Sequence, residues 1–516
     1  MKLRWKMLIG LSGSLILAIL LSVVHHYELR SAVEKYISSL RAKGEPMDLA
    51  QVIPPSVPPE KNSAPLFWKA VALFTTNGDM LATNQWANLH GVAPGKAIDY
   101  QAQPILRFED GSNTWDQLQE AMRRNGEAFK LLAQITNGAI FDFNLQYAQR
   151  FEMKITNLVF EKITVYKLTA GAIFDLHDGD VAAAGKKLQT CLALVAGNAD
   201  ERTAISQLVR IAMAQIAVAG TWEFLQSSNL TDEPLAGLQN SWSQPEFIQA
   251  WERSLPVERE GDSTTVAAWQ NSRSEFQHYF DVQRQAMKSL GTDIEGGDSY
   301  WNNQKLKIKI FLWRYWWSYP DQLRYLKGYE ALADAAKFAE TNGAYGTALQ
   351  DQKSKLDRLG ISDLRSSFDS IFTGRTDFHS MLSESIVTLA NVTRKVMQVE
   401  TARRVVITAI ALKRYQLKHG KYPAGLDSLA PEFVSAVPLD PVDGKPLRYR
   451  PNPDGTFLLY SIGGNGVDDG GNPALEKGVD GSTFQWQNPH ALDWVWPQPA
   501  TTEEIQSFYD HLSKSL

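Results

Sequence analysis

The pattern of hydrophobic and polar positions predicts a helical body over most of the chain. Between residues 66 and 393, stretches such as "NLVFEKITVYKLTAGAIFDL" place apolar residues three or four positions apart, which is the spacing of one helix face. The stretch "DLHDGDVAAAGKKLQTCLALVAG" predicts two helices joined by a tight turn, with Gly179 ending the first and Asp180 capping the second. No fixed period relates the helices, so both a helical bundle and an irregular helical repeat fit the pattern.

The pattern changes in the segment 394–488, which we interpret as a separate C-terminal domain. A long helix is predicted to end at Gly420, after which prolines force extended backbone and turns. "PLRYR" and "TFLLYSI" are rich in strand-forming residues, and "PNPDG" between them is typical of a hairpin. The predicted fold class is mostly α, with a small α+β domain whose antiparallel sheet follows a long helix. Residues 489–516 are a tail, whose last helix begins with Thr501 and Glu504 at capping-box spacing.

The N-terminal segment Met7–Val24 is an uncharged apolar run about as long as a membrane-spanning helix. Lys2, Arg4 and Lys6 precede it, which favours residues 1–6 in the cytoplasm and the rest of the chain on the far side. A cleaved signal peptide is the alternative, but "SVVHHYELR" has no small-residue cleavage motif. Both interpretations export the body. We expect a single-pass protein of the bacterial inner membrane with most of the chain in the periplasm.

A spacer of residues 25–65 connects this anchor to the body. It begins as a short amphipathic helix, "SAVEKYISSLRAKGEP", and continues as the proline-rich stretch "VIPPSVPPEKNSAP". Because proline fixes φ and lacks an N–H, the second part cannot be regular helix or central strand. We predict an extended strap there.

Composition narrows the classes of function. The chain has 516 residues, 44% of them hydrophobic, and a formal net charge of −5. This length predicts more than one packed unit, and the slightly acidic balance gives no support to nucleic-acid binding. The single cysteine, Cys191, lies on the apolar side of a predicted helix, which is typical of a buried structural thiol.

The stretch Lys305–Pro320, "KLKIKIFLWRYWWSYP", combines basic residues with closely spaced tryptophans and tyrosines. Such rings stack on sugars or lie in a membrane interface. The alternative is a buried helix whose aromatic side chains fill the core. The sequence leaves these interpretations open.

The C-terminal domain resembles the globular head of the major pseudopilin of type II secretion systems. The resemblance lies in ordered blocks: a Gly-x-Tyr-Pro turn, a Leu-x-x-Leu pair, a Pro-x-Asp-Pro segment and a Tyr-Ser-Leu-Gly block. Here these blocks are Gly420–Pro423, Leu426 with Leu429, Pro438–Pro441 and Tyr460–Gly463, with Gly444, Pro446 and Tyr449 before the last block. The resemblance covers only this part of the chain, and it implies a long helix joined to a small antiparallel sheet.

The resemblance also implies a calcium ion in the loop after the last block. The carboxylate candidates are then Asp468, Asp469 and Asp480, and Asn465 is a supplementary ligand in place of the aspartate of the family. Calcium takes about six to eight oxygen ligands, and the glycines of "YSIGGNGVDDGG" let the chain turn tightly enough to direct carbonyls inward. The alternative is a turn held by Asn and Asp side chains alone. Phosphate is disfavoured because the adjacent aspartates would repel it.

The N-terminal segment departs from the pseudopilins. Those proteins carry a prepilin peptidase site with glutamate at the fifth position after a glycine, and neither Gly10 nor Gly13 has one. We therefore do not expect a processed, filament-forming protein. The layout resembles a group of bacterial envelope proteins that join such a head to a large membrane-anchored helical body.

The sequence contains no recognisable catalytic motif of a zinc protease, serine hydrolase, P-loop enzyme or kinase. Glu258 and Glu260 could serve as an acid/base pair, but we interpret them as solvated charges at an exposed helix end. We expect a non-enzymatic, membrane-anchored envelope protein that scaffolds or binds a protein partner, linked to type II secretion-like export. The alternative is an envelope hydrolase or carbohydrate-binding protein that uses Trp313–Trp317.

Overall fold

The computed structural model of the chain describes residues 2–78, 89–108, 111–289, 300–361, 379–476, 488 and 490–515. The helices in these ranges are α1 (Lys2–Ala42), α2 (Leu49–Val52), α3 (Ala64–Thr76), α4 (Trp115–Arg124), α5 (Gly126–Leu132), α6 (Asn157–His177), α7 (Val181–Gly197), α8 (Ala204–Gln226), α9 (Asp232–Trp242), α10 (Phe247–Asn271), α11 (Arg273–Ser289), α12 (Tyr300–Leu312), α13 (Ser318–Asn342), α14 (Tyr345–Arg358), α15 (Ser383–His419) and α16 (Thr502–Ser515). A π-helix, Trp313–Trp317, joins α12 to α13. The strands are β1 (Gly91–Ala93), β2 (Lys96–Ala97), β3 (Leu106–Phe108), β4 (Gly111–Asn113), β5 (Arg448–Pro451), β6 (Phe457–Ser461), β7 (Trp494–Val495) and β8 (Gln498–Pro499).

Helix α1 is continuous over its 41 residues, so the apolar segment Met7–Val24 runs without a break into the first part of the body. Beyond that segment α1 packs against α13. Tyr36 Oη donates a hydrogen bond to Glu330 Oε2 at 2.5 Å, and Lys43 Nζ donates to Glu330 Oε1 at 2.5 Å. The N-terminal helix is therefore attached to the body by polar contacts near its C-terminal end.

The proline-rich strap after α2 contains no helix or strand, turns at residues 59–61 and is held against the body. The backbone N–H of Val57 donates to Asp142 Oδ2 at 3.1 Å, and Asn62 Nδ2 donates to the backbone carbonyl of Asp142 at 2.9 Å. Helix α3 then begins at Ala64, with Pro65 in its first turn, where a missing N–H is tolerated.

The predicted helix pair around Gly179 is confirmed as α6 and α7. Gly179 has a φ of +87°, which a glycine adopts without a steric penalty, and Asp180 Oδ1 accepts the N–H of Ala183 at 2.9 Å. Cys191 in α7 is fully buried, as predicted, and burial raises the pKa of its thiol to about 12. It is therefore a structural thiol.

Helix α8 lies at the centre of the body and contacts α6, α7, α10 and α15. It is long and apolar enough to cross a membrane, with a mean hydropathy of 1.3, but 78% of its apolar segment is buried inside the protein. A helix that is hydrophobic on all sides and enclosed by other helices is typical of a protein core.

Helix α15 connects the body to the head. It packs against α8, α9, α10 and α13, and against β6 of the head. It ends at Gly420, whose φ of +75° and N–H bond to the carbonyl of Gln416 form the predicted C-cap. Helix α15 thus contributes to the core of the body and also packs against the sheet of the head.

The head contains the predicted antiparallel sheet. Strands β5 and β6 pair with Tyr449 opposite Leu459, and β7 pairs with the other edge of β6, placing Val495 opposite Tyr460. The segment expected to be a tail supplies β7, and its next strand, β8, pairs in parallel with β2 of the body. The predicted fold class, mostly α with a small antiparallel sheet after a long helix, is confirmed.

The body also contains short strands that the hydrophobic pattern did not predict. Strands β1 and β2 pair antiparallel, as do β3 and β4, within residues 91–113. Strands of two or three residues are too short for a period of two to be recognised in the sequence.

Candidate functional site

The glycine-rich loop after β6 holds three of the four predicted calcium ligands: Asn465, Asp468 and Asp469. Asp480, the fourth, lies outside the described residues. Gly463, with a φ of +68°, starts the loop, and a Cβ at this position would lie 2.4 Å from the carbonyl oxygen of Leu492. Only glycine fits this turn, which explains the start of the glycine-rich stretch.

Asp468 is held by three donors of the protein itself. Its Oδ1 accepts the hydroxyl of Tyr460 at 2.9 Å and the backbone N–H of Gly470 at 3.1 Å. Its Oδ2 accepts Nε of Arg448 at 3.3 Å. The N–H of Gly470 and the other two donors lower the pKa of Asp468, so the carboxylate is charged at neutral pH.

Asn465 and Asp469 bond to each other across the loop. Asn465 Nδ2 donates to Asp469 Oδ2 at 2.8 Å, and Asn465 Oδ1 accepts the N–H of Val467 at 2.9 Å. This second bond is the side-chain turn that asparagine commonly forms. The amide oxygen of Asn465 is therefore already engaged by the backbone.

Asp493 accepts hydrogen bonds from the backbone of the glycine-rich loop. The sequence analysis did not predict this role. Its side chain is fully buried, and its two oxygens accept the backbone N–H groups of Asp469 at 3.4 Å, Gly471 at 2.8 Å and Asn472 at 2.9 Å. Burial raises the pKa of Asp493, whereas these N–H groups oppose that rise. The residue precedes β7, in the segment interpreted as a tail, so no local pattern indicated its role.

Arg448 joins three aspartates at the edge of the sheet. Its guanidinium lies 2.7 Å from Asp443, 3.1 Å from Asp440 and 3.3 Å from Asp468. The hydrogen bond to Asp443 is the main reason that the pKa of Arg448 is raised. The guanidinium of Arg448 thus already supplies a positive charge between these three carboxylates.

Asp440, from the Pro-x-Asp-Pro segment, is the buried centre of this network. Its Oδ1 accepts the hydroxyl of Ser461 at 2.8 Å and the N–H of Val442 at 3.0 Å, and its Oδ2 accepts the N–H of Ile462 at 3.0 Å. Burial raises its pKa, and these donors together with Arg448 oppose the rise. Asp440 therefore ties the start of the glycine-rich loop to the segment before β5.

The described residues of the loop do not complete a calcium site by themselves. Among the residues that the structure describes, no group of three or more His, Cys, Asp or Glu side chains could hold a metal ion. Asp468 already accepts from Arg448, and Asp469 already accepts from Asn465. The protein-held turn and the calcium loop thus remain two interpretations, and calcium binding stays a prediction.

The aromatic stretch of the body is divided between core and surface. Trp313 is fully buried, and its Nε1 lies 3.5 Å from Asp321 Oδ2. Trp317 packs against His379, with ring centroids 3.9 Å apart. Tyr315 and Trp316 are exposed. The core interpretation is therefore confirmed for Trp313, and contact of the exposed Tyr315 and Trp316 with sugar or membrane stays a prediction.

The expected position of Glu258 and Glu260 at an exposed helix end is wrong. Both lie inside helix α10, whose 25 residues pass through Pro256. Glu260 is buried and paired with Arg259 at 2.9 Å. Its burial requires this ion pair, so Glu260 is not available as a free acid or base.

We use the name acidic pair for Glu258 and Asp262, which lie four residues apart on one face of α10. Glu258 accepts the N–H of Ala204, and Asp262 Oδ2 accepts the hydroxyl of Tyr325 at 3.0 Å. Both residues are partly exposed, but the surrounding helices remove most of the water from their carboxyl groups. This desolvation raises the pKa of Glu258 to about 7 and that of Asp262 to about 6.

Comparison of the chain with models of protein families, with curated proteins and with solved structures found no match. Function is therefore inferred from the geometry of the chain and from its sequence motifs.

Proposed function

We propose that this protein is a non-enzymatic scaffold of the bacterial cell envelope. Helix α1 anchors it in the inner membrane, the helical body lies against the periplasmic face of the bilayer, and the head binds a protein partner. The observation that supports this most strongly is the surface of α1. Leu17, Leu20, Leu21, Val23 and Val24 are all exposed, although they belong to one uninterrupted helix. Exposed apolar side chains at these positions of one helix are suited to lipid and unsuited to water.

An aromatic patch on the body continues this apolar surface. We define the patch as Ile308, Phe311, Tyr315 and Trp316, whose side chains are exposed on α12 and the π-helix. Tryptophan and tyrosine favour the boundary between lipid and water, because their rings are apolar with a polar edge.

The patch lies beside the end of the apolar segment of α1. His26, two positions after Val24, bonds through Nδ1 to the backbone carbonyl of Tyr315 at 2.9 Å, and its ring lies 5.0 Å from that of Tyr319. A bilayer that surrounds the apolar segment would therefore meet the patch at its surface. Lys307 is exposed next to Ile308 and would face the lipid headgroups.

The head carries the proposed partner-binding function. Its resemblance to a pseudopilin head supports docking onto an export assembly, and Leu439 and Val467 add exposed apolar side chains near the loop. Calcium in this loop would stabilise the head; it would have to be bound by Asp469, Asp480 and backbone carbonyls, with Asp468 competing between the ion and Arg448.

Membrane attachment and partner binding can be tested in the native host. We expect the full chain to remain in membranes after alkaline carbonate extraction and to be degraded by protease added to spheroplasts but not to intact cells. Photo-crosslinking groups at Leu439 and Val467 should yield a discrete adduct with another envelope protein, whereas a group at Lys187 in the body should not. Extraction of the chain by carbonate would contradict the anchor, and the absence of any adduct from the head would contradict the scaffold.

The second candidate function, an envelope hydrolase, is favoured by the acidic pair. Carboxyl groups with pKa values near neutral can act as general acid and base, and both Glu258 and Asp262 are partly exposed residues. We expect any hydrolysis of peptidoglycan or envelope polysaccharide by the purified chain to be lost in Glu258→Gln and in Asp262→Asn, and to be kept in Glu233→Gln, which changes an exposed carboxylate of α9. Activity that survives both substitutions would remove the pair from consideration.

A further inference from the structure

A cavity of 170 Å³ lies at the junction of the body and the head. It opens where α8 ends, beside the last turns of α15 and the start of β6. Its apolar walls are aromatic rings and prolines: Tyr422, Phe457, Trp496, Pro497 and Pro499. The volume is below the roughly 300–1,000 Å³ of pockets that hold drug-sized ligands, so the cavity suits a small molecule or one side chain with its terminal group.

The walls of the cavity are fixed by hydrogen bonds from three directions. Trp222 Nε1 in α8 donates to the carbonyl of Pro497 at 2.9 Å. The N–H of Trp496 donates to the carbonyl of Leu459 in β6 at 2.8 Å, and Gln498 Nε2 donates to the carbonyl of Phe457 at 3.2 Å. These hydrogen bonds join the body, the head and the C-terminal segment around the cavity. The cavity is therefore preformed, and a ligand would bind without having to order its walls.

Lys413 of α15 is the only charged residue that lines this cavity among the described residues. It is partly buried, and in the described part of the chain no carboxylate lies within ion-pair distance of its ammonium group. Neighbouring cations have such partners: Arg414 binds Asp232 at 2.7 Å, and Lys418 binds Glu432. Burial lowers the pKa of Lys413, as expected when an ammonium group loses water and gains no anion.

We propose that the cavity is a binding site for a carboxylate with a small apolar or aromatic body. The Lys413 ammonium would pair with the carboxylate, and the rings of Tyr422, Phe457 and Trp496 would enclose the apolar part. A carboxylate matches the unpaired cation in charge, and charge-assisted hydrogen bonds of this type are stronger than neutral ones. The ring edges of Tyr422 and Phe457, whose centroids are 4.9 Å apart, leave an apolar surface that a phenyl or branched alkyl group would cover.

Two sources would supply this chemistry. One is a free apolar acid, and the other is the C-terminal carboxylate of a peptide or protein chain with an apolar last residue. In both, the recognised unit is the same carboxylate next to an apolar group. The probes below distinguish them.

The test uses the full chain in lipid nanodiscs and four probes: 3-phenylpropionate, its amide, acetyl-Gly-Phe with a free C-terminus, and acetyl-Gly-Phe amide. Binding is measured by saturation-transfer NMR, with empty nanodiscs subtracted. We expect each acid to bind at least about tenfold more tightly than its amide, which is the usual effect of one hydrogen bond to a charged group. The tighter acid identifies the source as a free acid or a chain end.

Lys413→Met is the decisive variant because it keeps the apolar stem and removes only the charge. It should abolish the preference for acid over amide, whereas Lys421→Met, which removes an exposed charge nearby, should keep it. Since Lys413→Met removes an unpaired, partly buried charge, its melting temperature should not fall, and this measurement confirms that the variant is folded. Equal binding of acids and amides, an unchanged preference in Lys413→Met, or no saturable signal from any probe below about 10 mM would overturn the proposal.

Discussion

The body and the head are stabilised in different ways. In the body, helices enclose a large apolar core that includes fully buried side chains such as Trp222, Trp242 and Trp313. In the head, a sheet of three short strands is tied together by charged hydrogen bonds centred on Asp440 and Arg448. An apolar core spreads its stabilisation over many contacts, whereas a charged network concentrates it in a few groups. The two regions should therefore fail under different substitutions.

The largest effect is expected from Asp440→Ala in the head. This change leaves the buried N–H of Ile462 without its acceptor and takes one of three carboxylates from Arg448, and each hydrogen bond to a charged group contributes about 1.5–3 kcal/mol. Hydrogen exchange should show loss of protection in β5, β6 and the glycine-rich loop while α6–α8 stay protected. Asp427→Ala, which removes an exposed carboxylate in the same domain, is the control and should change little. Loss of protection throughout the chain would show that the head is not a separate unit of stability.

Leu188→Ala is the corresponding change in the body. Leu188 is fully buried in α7, and truncation of such a leucine costs about 2–5 kcal/mol through lost burial and a cavity. Hydrogen exchange should now increase in α6–α8. Val159→Ala, at a largely exposed position of α6, should cost less than about 0.5 kcal/mol. Equal loss in the head and the body would contradict the distinction between the two regions.

A rise in pH should destabilise the body through the acidic pair, which lies in the body and not in the head. The folded state raises the pKa of Glu258 from 4.5 to about 7 and that of Asp262 from 3.8 to about 6. The folded state thus keeps protons that the unfolded chain has lost, so this stabilisation is present below pH 4 and lost as the pH rises through 6 and 7.

Between pH 5 and pH 8 the contribution of this pair to the free energy of unfolding of the body should fall by on the order of 4 kcal/mol. Urea unfolding monitored by tryptophan fluorescence measures this slope. The double variant Glu258→Gln with Asp262→Asn should reduce the slope but not abolish it, because burial also raises the pKa of Glu161 to about 8 and that of Glu252 to about 7. An unchanged slope in the variant would show that other groups cause the pH dependence.

Calcium should produce the smallest effect, confined to the head. If the loop binds calcium, an ion concentration of about ten times Kd raises the stability of the folded head by roughly 1.4 kcal/mol. Thermal melting of the full chain with calcium and with chelator measures this shift. Asp469→Ala should abolish the shift, and Asp454→Ala, in the β5–β6 turn, should keep it. Absence of any shift in the unsubstituted chain would favour the turn held by Arg448 and Asp493 alone.

Local features of the fold could be predicted from the sequence. Gly420, the hairpin of β5 and β6 and the turn at Gly179 each depend on residues within one or two turns of the chain, so their signals are contiguous. The same holds for the cap at Thr501, where the predicted capping box is present: the N–H of Thr501 donates to Glu504, and the N–H of Glu504 donates to Thr501.

The candidate sites could be predicted only in part, because they depend on contacts between distant segments. Asp493 approaches Gly471 only after β7 joins the sheet, and Lys413 lines a cavity only because the segment after β7 returns to α8. The prediction that Glu260 is exposed was wrong for the same reason. Its spacing from Glu258 was visible, but whether α10 was exposed or enclosed depended on helices far away in the sequence.

If the body lies on the bilayer through the aromatic patch, nitroxide depth measurements should find the patch in lipid. Spin labels would be placed at Phe311→Cys, at Trp316→Cys and, as a control in the head, at Lys421→Cys in nanodiscs; Cys191 is buried and should not react. We predict that the two patch labels are reached by oxygen more readily than by a water-soluble nickel complex, and that the control is reached mainly by nickel. Patch labels as accessible to nickel as the control would contradict the claim.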